Sequence, residues 1–246
     1  MCYEFLPERT RRKNYTSRLD QSGYFVVKHL HNFIISSVHR YVRANSTVVD
    51  IGCGEQPMRT LIEEKGGQYI GIDIAQNSQN NVDILCSAVS IQLPNSSVDC
   101  ILCTEVVEHV PEIDKVFSEF ARILKPNGYI ILTCPFLYFL HEEPYDFQRP
   151  TPYLIDFLAN KNSLKVLELE KTGNGIECIA TILDILFEEY RINSNKIFQF
   201  LWNPLRISLR ISINSLAIIF SSMFGRVNRF KQRIYLSNLA ILQKNN

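Results

Sequence analysis

The residues best placed to do chemistry start in one short stretch, Val48-Val49-Asp50-Ile51-Gly52-Cys53-Gly54. Its apolar half reads as a buried strand, and its end as a glycine-rich turn. Gly52 and Gly54 carry no Cβ, so the backbone can turn sharply and a ligand can come within hydrogen-bonding distance. In open α/β sheets, ligands sit just beyond the carboxyl ends of the strands. The turn continues to Gln56-Pro57 without a third glycine, unlike a dinucleotide fingerprint. No Gly-Lys-Ser/Thr follows, which removes the P-loop reading. Gly71-Ile72-Asp73-Ile74 comes next, with Asp73 at the end of a second strand. A carboxylate there can accept both hydroxyls of a ribose, through charge-assisted bonds of about 1.5–3 kcal/mol each. The plainer alternative for Asp73 is a helix cap.

Two later stretches carry titratable groups. Glu105-x-x-Glu108-His109 follows a fourth apolar run, and His141-Glu142-x-Pro144-Tyr145-Asp146-Phe147-x-Arg149 follows a fifth. Imidazole titrates near neutral pH, so His141 and His109 are the candidate catalytic residues, His141 as a general base. Asp146 and Arg149 serve equally well as an ion pair that braces the loop.

These groups need a frame to hold them. From Thr47 to Gly173, apolar runs alternate with more polar segments at βαβ spacing, which predicts a mostly parallel sheet covered by helices on both faces. The runs are Thr47–Ile51, Gln68–Ile74, Val82–Cys86, Val98–Cys103, Gly128–Thr133 and Leu164–Leu169. Asp114–Leu124 repeats apolar residues at the period of an amphipathic helix, and Lys125-Pro126-Asn127-Gly128 is expected to end it in a turn. Thr151 is the expected N-cap of a helix over Thr151–Asn160, with Pro152 at its first position. Tyr24–Val42 is a further helix. Four segments result: a helical lead-in at 1–46, a core at 47–173, a mostly helical insertion at 174–233, and a closing strand at 234–246. Within the insertion, Ile207–Ile213 alternates in a way that a strand would also satisfy.

Five blocks in order resemble the class I S-adenosylmethionine (SAM)-dependent methyltransferases, and more narrowly the methyltransferase type 11 group. They are Val48–Gly54, Gly71–Ile74, Leu93–Ile101, Glu105–Val110 and Arg122–Gly128. The resemblance covers about half of the chain. It implies a Rossmann-like doubly wound α/β fold with an antiparallel last strand, and it implies SAM as cofactor. Asp50, Gly52, Cys53 and Gly54 would then hold the methionine part, Asp73 and Ile74 the ribose, and Ser87 and Ala88 the edge of the adenine, with Thr104 at the end of the fourth strand. Relatives usually carry Asp where Ser87 stands, so weaker cofactor affinity is expected. Glu105, Glu108 and His109 resemble the divalent-ion ligands of ubiquinone-pathway O-methyltransferases and of small-RNA 2′-O-methyltransferases. Carboxylates with an imidazole suit Mg²⁺ or Mn²⁺, which would favour deprotonation of an acceptor hydroxyl. Related enzymes without metal also keep Glu-His here. O-methylation of a small-molecule, glycan or lipid-linked acceptor is the leading expectation. RNA 2′-O-methylation and a non-catalytic SAM-binding protein are the alternatives.

Composition narrows the partners. Hydrophobic residues make up 46% and charged residues 21% of the 246, ordinary values for a globular chain. The formal net charge of +1 hides an asymmetry: every acidic residue lies at or before Glu189, while nine of the 26 basic residues lie after it. The basic, apolar stretch 191–233 therefore suggests a peripheral membrane contact, with a helical cap or a dimer surface as the alternative. Nucleic acid is disfavoured, because aliphatic residues outnumber aromatic and basic ones there. The seven cysteines lack metal-type spacing, and no secretory signal is visible at Met1–Lys13. A cytoplasmic chain, free or membrane-associated, is the expectation; the oligomeric state is left open.

Overall fold

The computed structural model describes residues 16–192, 196–224 and 232–246. Seven strands form one sheet: β1 (Thr47–Ile51), β2 (Gln68–Asp73), β3 (Ile84–Leu85), β4 (Val98–Thr104), β5 (Leu124–Pro135), β6 (Leu164–Thr172) and β7 (Ser237–Lys244). Their spatial order is β3-β2-β1-β4-β5-β7-β6. The pairs from β3 through β5 are parallel, while β7 runs antiparallel to both β5 and β6. The α/β sheet with an antiparallel last strand is therefore as expected.

Helices cover both faces, which is why the central strands read as unbroken apolar runs. On one face lie α3 (Ile113–Ile123) and α4 (Pro152–Lys161), with Phe117, Phe120 and Ile155 buried against Ile101, Ile130 and Leu242. On the other lie α1 (Tyr24–Tyr41), the short α2 (Arg59–Glu64), α5 (Gly175–Ile192) and α6 (Lys196–Phe224). In α1, Val26, Leu30, Ile34 and Val38 recur every four residues and form its buried stripe. Thr151 caps α4, its side chain accepting from the Leu154 amide, and Pro152 opens the helix.

Two expectations change. The third strand is only Ile84–Leu85, because Asp83 turns its carboxylate onto the Gly71 amide. The turn expected at Lys125–Gly128 lies inside β5: pairing with β4 begins at Leu124, and the register shifts before Tyr129, with Asn127 at φ 64°. The insertion is helical where it is described, as expected, and of the two alternatives residues 207–213 take the helix, as part of α6.

Candidate functional site

The glycine turn leaves β1 at the carboxyl edge of the sheet. Gly52 has φ +69° and Gly54 φ +50°, the left-handed region that glycine enters without strain. A Cβ on Gly52 would lie 2.4 Å from Val106 Cγ2, whereas one on Gly54 would meet nothing within 4 Å. Gly52 is thus glycine for packing, and Gly54 leaves open space beside the backbone. The amides of Gly52 and Cys53 donate to Ile72 O, tying the turn to β2.

Two buried carboxylates flank this turn. Asp73 accepts from the amides of Gly54 (3.0 Å), Ile74 (2.7 Å) and Ala75 (3.4 Å), so its position is fixed from three sides. Asp50 accepts from the Tyr69 hydroxyl at 2.6 Å. Burial pushes the Asp50 carboxyl up to about 7, although Tyr69 pulls the other way. Asn77, itself buried, donates to Gly54 O at 3.0 Å and to Asn81 Oδ1, and Gln56 donates to Asn81 O at 2.8 Å. Sequence reasoning missed Tyr69, Asn77 and Asn81, whose only sequence signal is nearness to Asp73. Ser87 lies after β3, half-buried, with its hydroxyl facing the Val89 amide at 3.4 Å, and Ala88 is buried beside it. Thr104 closes β4 opposite Thr133.

The second group of residues is assembled across the loop. Glu108 is fully buried in a 3-10 turn (Val107–His109), and neither carboxylate oxygen has a hydrogen-bond partner. Burial, followed by the nearby Glu105, raises its pKa well above the ordinary carboxylate range. His109 Nε2 stands 3.7 Å from Glu108 Oε1, while His109 Nδ1 faces Tyr145 O at 2.8 Å. A carbonyl only accepts, so Nδ1 carries the hydrogen and Nε2 the lone pair. The same logic holds for His141, whose Nδ1 faces Phe139 O and Asp146 Oδ2, both at 3.2 Å. The two rings meet edge to face, 4.8 Å between centroids. Ligand atoms of Glu108, His109 and His141 all lie within 4.8 Å of one another, the only such group among the described residues. Glu105 stands at the rim, at φ +55°, its Oε1 accepting from Thr133 at 2.9 Å.

Arg149 is held in a two-pronged ion pair with Asp146 and donates to Phe139 O. Burial opposes the charge on Asp146, but the Arg149 bonds prevail and hold its carboxyl below the ordinary range. The loop is tied to the 3-10 turn at Val107–His109 by Phe147 N to Glu108 O and by Gln148 to the Val107 and Val110 carbonyls. Asp146 and Arg149 thus form the ion pair that braces the loop, and the brace brings His141 to His109.

A strand-edge glycine turn and an acidic residue closing the next strand, in a sheet with β7 reversed, are an arrangement suited to a nucleoside cofactor. Residues 49–132 match the family model described as a methyltransferase domain. Over these residues the chain is thus similar to a methyltransferase domain, in line with the resemblance of its five sequence blocks to the class I SAM-dependent methyltransferases. Curated relatives are named ubiquinone biosynthesis O-methyltransferase. That of Leptothrix cholodnii is 29% identical over 35% of this chain and 43% of the relative, and that of Hydrogenovibrio crunogenus 25% identical over 46% and 54%. The chain thus spans about half the length of the curated relatives it matches. Among solved structures, a provisionally assigned sarcosine dimethylglycine methyltransferase of Galdieria sulphuraria superposes with TM-score 0.62 at 16% identity, covering 96% of this chain and 94% of that one. The (4+2)-cyclase SpnF superposes at 0.60, also at 16%, covering 97% and 89%. Such likenesses fix the fold alone.

Proposed function

We propose that this protein transfers the methyl group of SAM to a hydroxyl oxygen of a small-molecule acceptor. The single observation that carries the oxygen-directed reading is Glu108, a carboxylate with no exposed surface and no hydrogen bond, set against two histidine rings that turn their Nδ1 hydrogens away. A buried carboxylate without a partner costs several kcal/mol unless it is protonated or meets a cation. Mg²⁺ or Mn²⁺ fits the donors Glu108 and His109, with Glu105 at the rim, and would supply a Lewis acid that lowers the pKa of an acceptor hydroxyl. The relatives' name supports an oxygen acceptor.

SAM supplies an electrophilic methyl group. The chain's own part is to position and to accept a proton. Asp73 offers its carboxylate to the ribose hydroxyls, and the open side of Gly54 lets the cofactor lie against the backbone. Tyr69 holds Asp50 beneath the turn, and Ser87 borders the adenine. His141, with its Nδ1 hydrogen committed, keeps Nε2 free to take the acceptor proton. Much of the acceleration in such a displacement comes from alignment of the reacting atoms.

The test is transfer from methyl-labelled SAM to a panel of small phenols and quinols, with Mg²⁺ and with a chelator, beside a glycan and a lipid-linked hydroxyl compound. Label on oxygen that falls with the chelator is expected. SAM binding with no transfer to any acceptor would overturn the reading in favour of a binding protein.

A further inference from the structure

The helical pair α5–α6 has inverted polarity. The buried stripe of α6 is Arg206, Arg210, Asn214 and Ala217, four or three residues apart. Arg210 pairs with Asp184 and with Glu188 (2.6 Å), and Arg206 pairs with Glu188. Asn214 donates to Leu19 O at 2.9 Å, and Asp184 accepts from Ser22 and the Gly23 amide. These charges fasten the pair to the body of the protein. The opposite face is apolar and open: Ile179, Ile182 and Leu186 on α5, with Leu216, Ile219 and Met223 on α6, the last three exposed by 52–65%. The arginines expected to draw this segment to an anionic surface thus include two, Arg206 and Arg210, that point inward instead. Arg226, Arg229 and Lys231 lie outside the described residues, as do the side chains of Arg191 and Lys196.

An ordinary amphipathic helix buries its apolar stripe and exposes its charges. The reverse arrangement makes sense where the outer medium is itself apolar. Trp202–Met223 is long and apolar enough to cross a membrane, yet its arginines are locked into ion pairs with α5, so it is held alongside the fold. At the end of the open face, Ser221 and Ser222 share a turn with Ile219 and Met223. There they line a cavity of about 340 Å³ with Lys28, His29, Lys171 and Gln232. Arg233 and Ile234 are exposed next to it.

We propose that the outward face of α5–α6 lies in the interface of an anionic lipid bilayer, with Lys28 and Arg233 at the rim meeting the head groups. Charge selects lipid over a second copy of the chain. From Gly175 onward the chain carries nine basic and four acidic residues, and with Arg206 and Arg210 spent on Asp184 and Glu188 the remaining charge is still basic, so a self-paired face would bring like charges together. An anionic surface matches them, at about 1 kcal/mol for each basic residue near it. The inference is independent of the methyl-transfer reading.

The test is flotation of the full chain with vesicles of phosphatidylcholine alone or mixed with phosphatidylglycerol. Binding is expected only to the mixed vesicles. It should fall at least about tenfold in Ile219→Asp/Met223→Asp, which places charges on the open face, and several-fold in Lys28→Glu/Arg233→Glu. Helical circular dichroism checks the fold of each variant. Phe220→Trp, which keeps an aromatic side chain, gives a second reading: its emission should shift to the blue on mixed vesicles and be quenched by brominated lipid, beyond any change of Trp202 in the parent. No flotation, flotation indifferent to all these variants, or a parent dimer in sedimentation that Ile219→Asp/Met223→Asp dissociates would overturn the proposal.

Discussion

Tyr69 donates its hydroxyl hydrogen to Asp50 Oδ2 at 2.6 Å, beneath the glycine turn and out of contact with water. The bond links β2 to β1 at the residue that burial has pushed up to about 7. It makes a wet-bench consequence available without any ligand. A carboxyl whose folded pKa lies above its unfolded value stabilises the fold below the unfolded pKa, and that stabilisation is lost as pH rises through the folded pKa. The ligand-free protein should therefore lose stability between about pH 4 and pH 7 through Asp50. In Asp50→Asn this part of the slope should vanish, and in Tyr69→Phe it should shift to lower stability by about 1–3 kcal/mol at neutral pH. Melting curves across that range read both; an unchanged slope in Asp50→Asn would contradict the assignment.

Gly52→Ala should destabilise the protein by roughly 1–3 kcal/mol and weaken SAM binding, since the new methyl meets Val106 at a position that also demands positive φ. The double variant Gly52→Ala/Val106→Ala removes the clash and leaves the φ penalty, so stability should return in part. Denaturant titration of both variants separates the two causes, and a harmless Gly52→Ala would show that the turn relaxes freely.

Glu108→Gln replaces a buried carboxyl that has no partner. Without metal, its stability at neutral pH should lie within about 1 kcal/mol of the parent and exceed it at higher pH, where the parent must ionise a buried group. Stabilisation of the parent by Mg²⁺ or Mn²⁺, read as a rise in Tm, should disappear in the variant. Equal metal responses would remove Glu108 from the ion site.

Ser87→Asp restores a charged acceptor at the adenine edge. The expected gain in SAM affinity is about three- to tenfold, from one charge-assisted bond exchanged for a neutral one. Calorimetric titration decides, and unchanged or weaker binding would place the adenine elsewhere.

The glycine turn and the carboxylates proposed to hold the cofactor were legible in position because they are local. A strand, a glycine turn and Asp73 lie within about one βαβ unit, and each residue type states its own reason for being there. Thr151 and Pro152 were legible for the same cause. The rest of the site depends on distance. His109 and His141 are brought together by Asp146–Arg149 and by Gln148 reaching Val107 and Val110, contacts between loops that no periodicity encodes. The insertion is helical as its pattern implied, but which face of its helices lies inward was not legible. Its helices bury Arg206, Arg210 and Asn214, so the repeat that marks the inner face is polar and the apolar repeat marks the outer one. The bulge in β5 was hidden because Lys125–Gly128 has turn chemistry inside a strand.

The central claim is that SAM is bound at the turn and held by Asp73. Calorimetric titration of the ligand-free protein with SAM tests it most directly, with Asp73→Asn alongside. One-to-one binding that weakens at least about tenfold in the variant is predicted, the loss of one charge-assisted bond of about 1.5–3 kcal/mol. No binding in the parent, or equal binding in both proteins, would contradict the account.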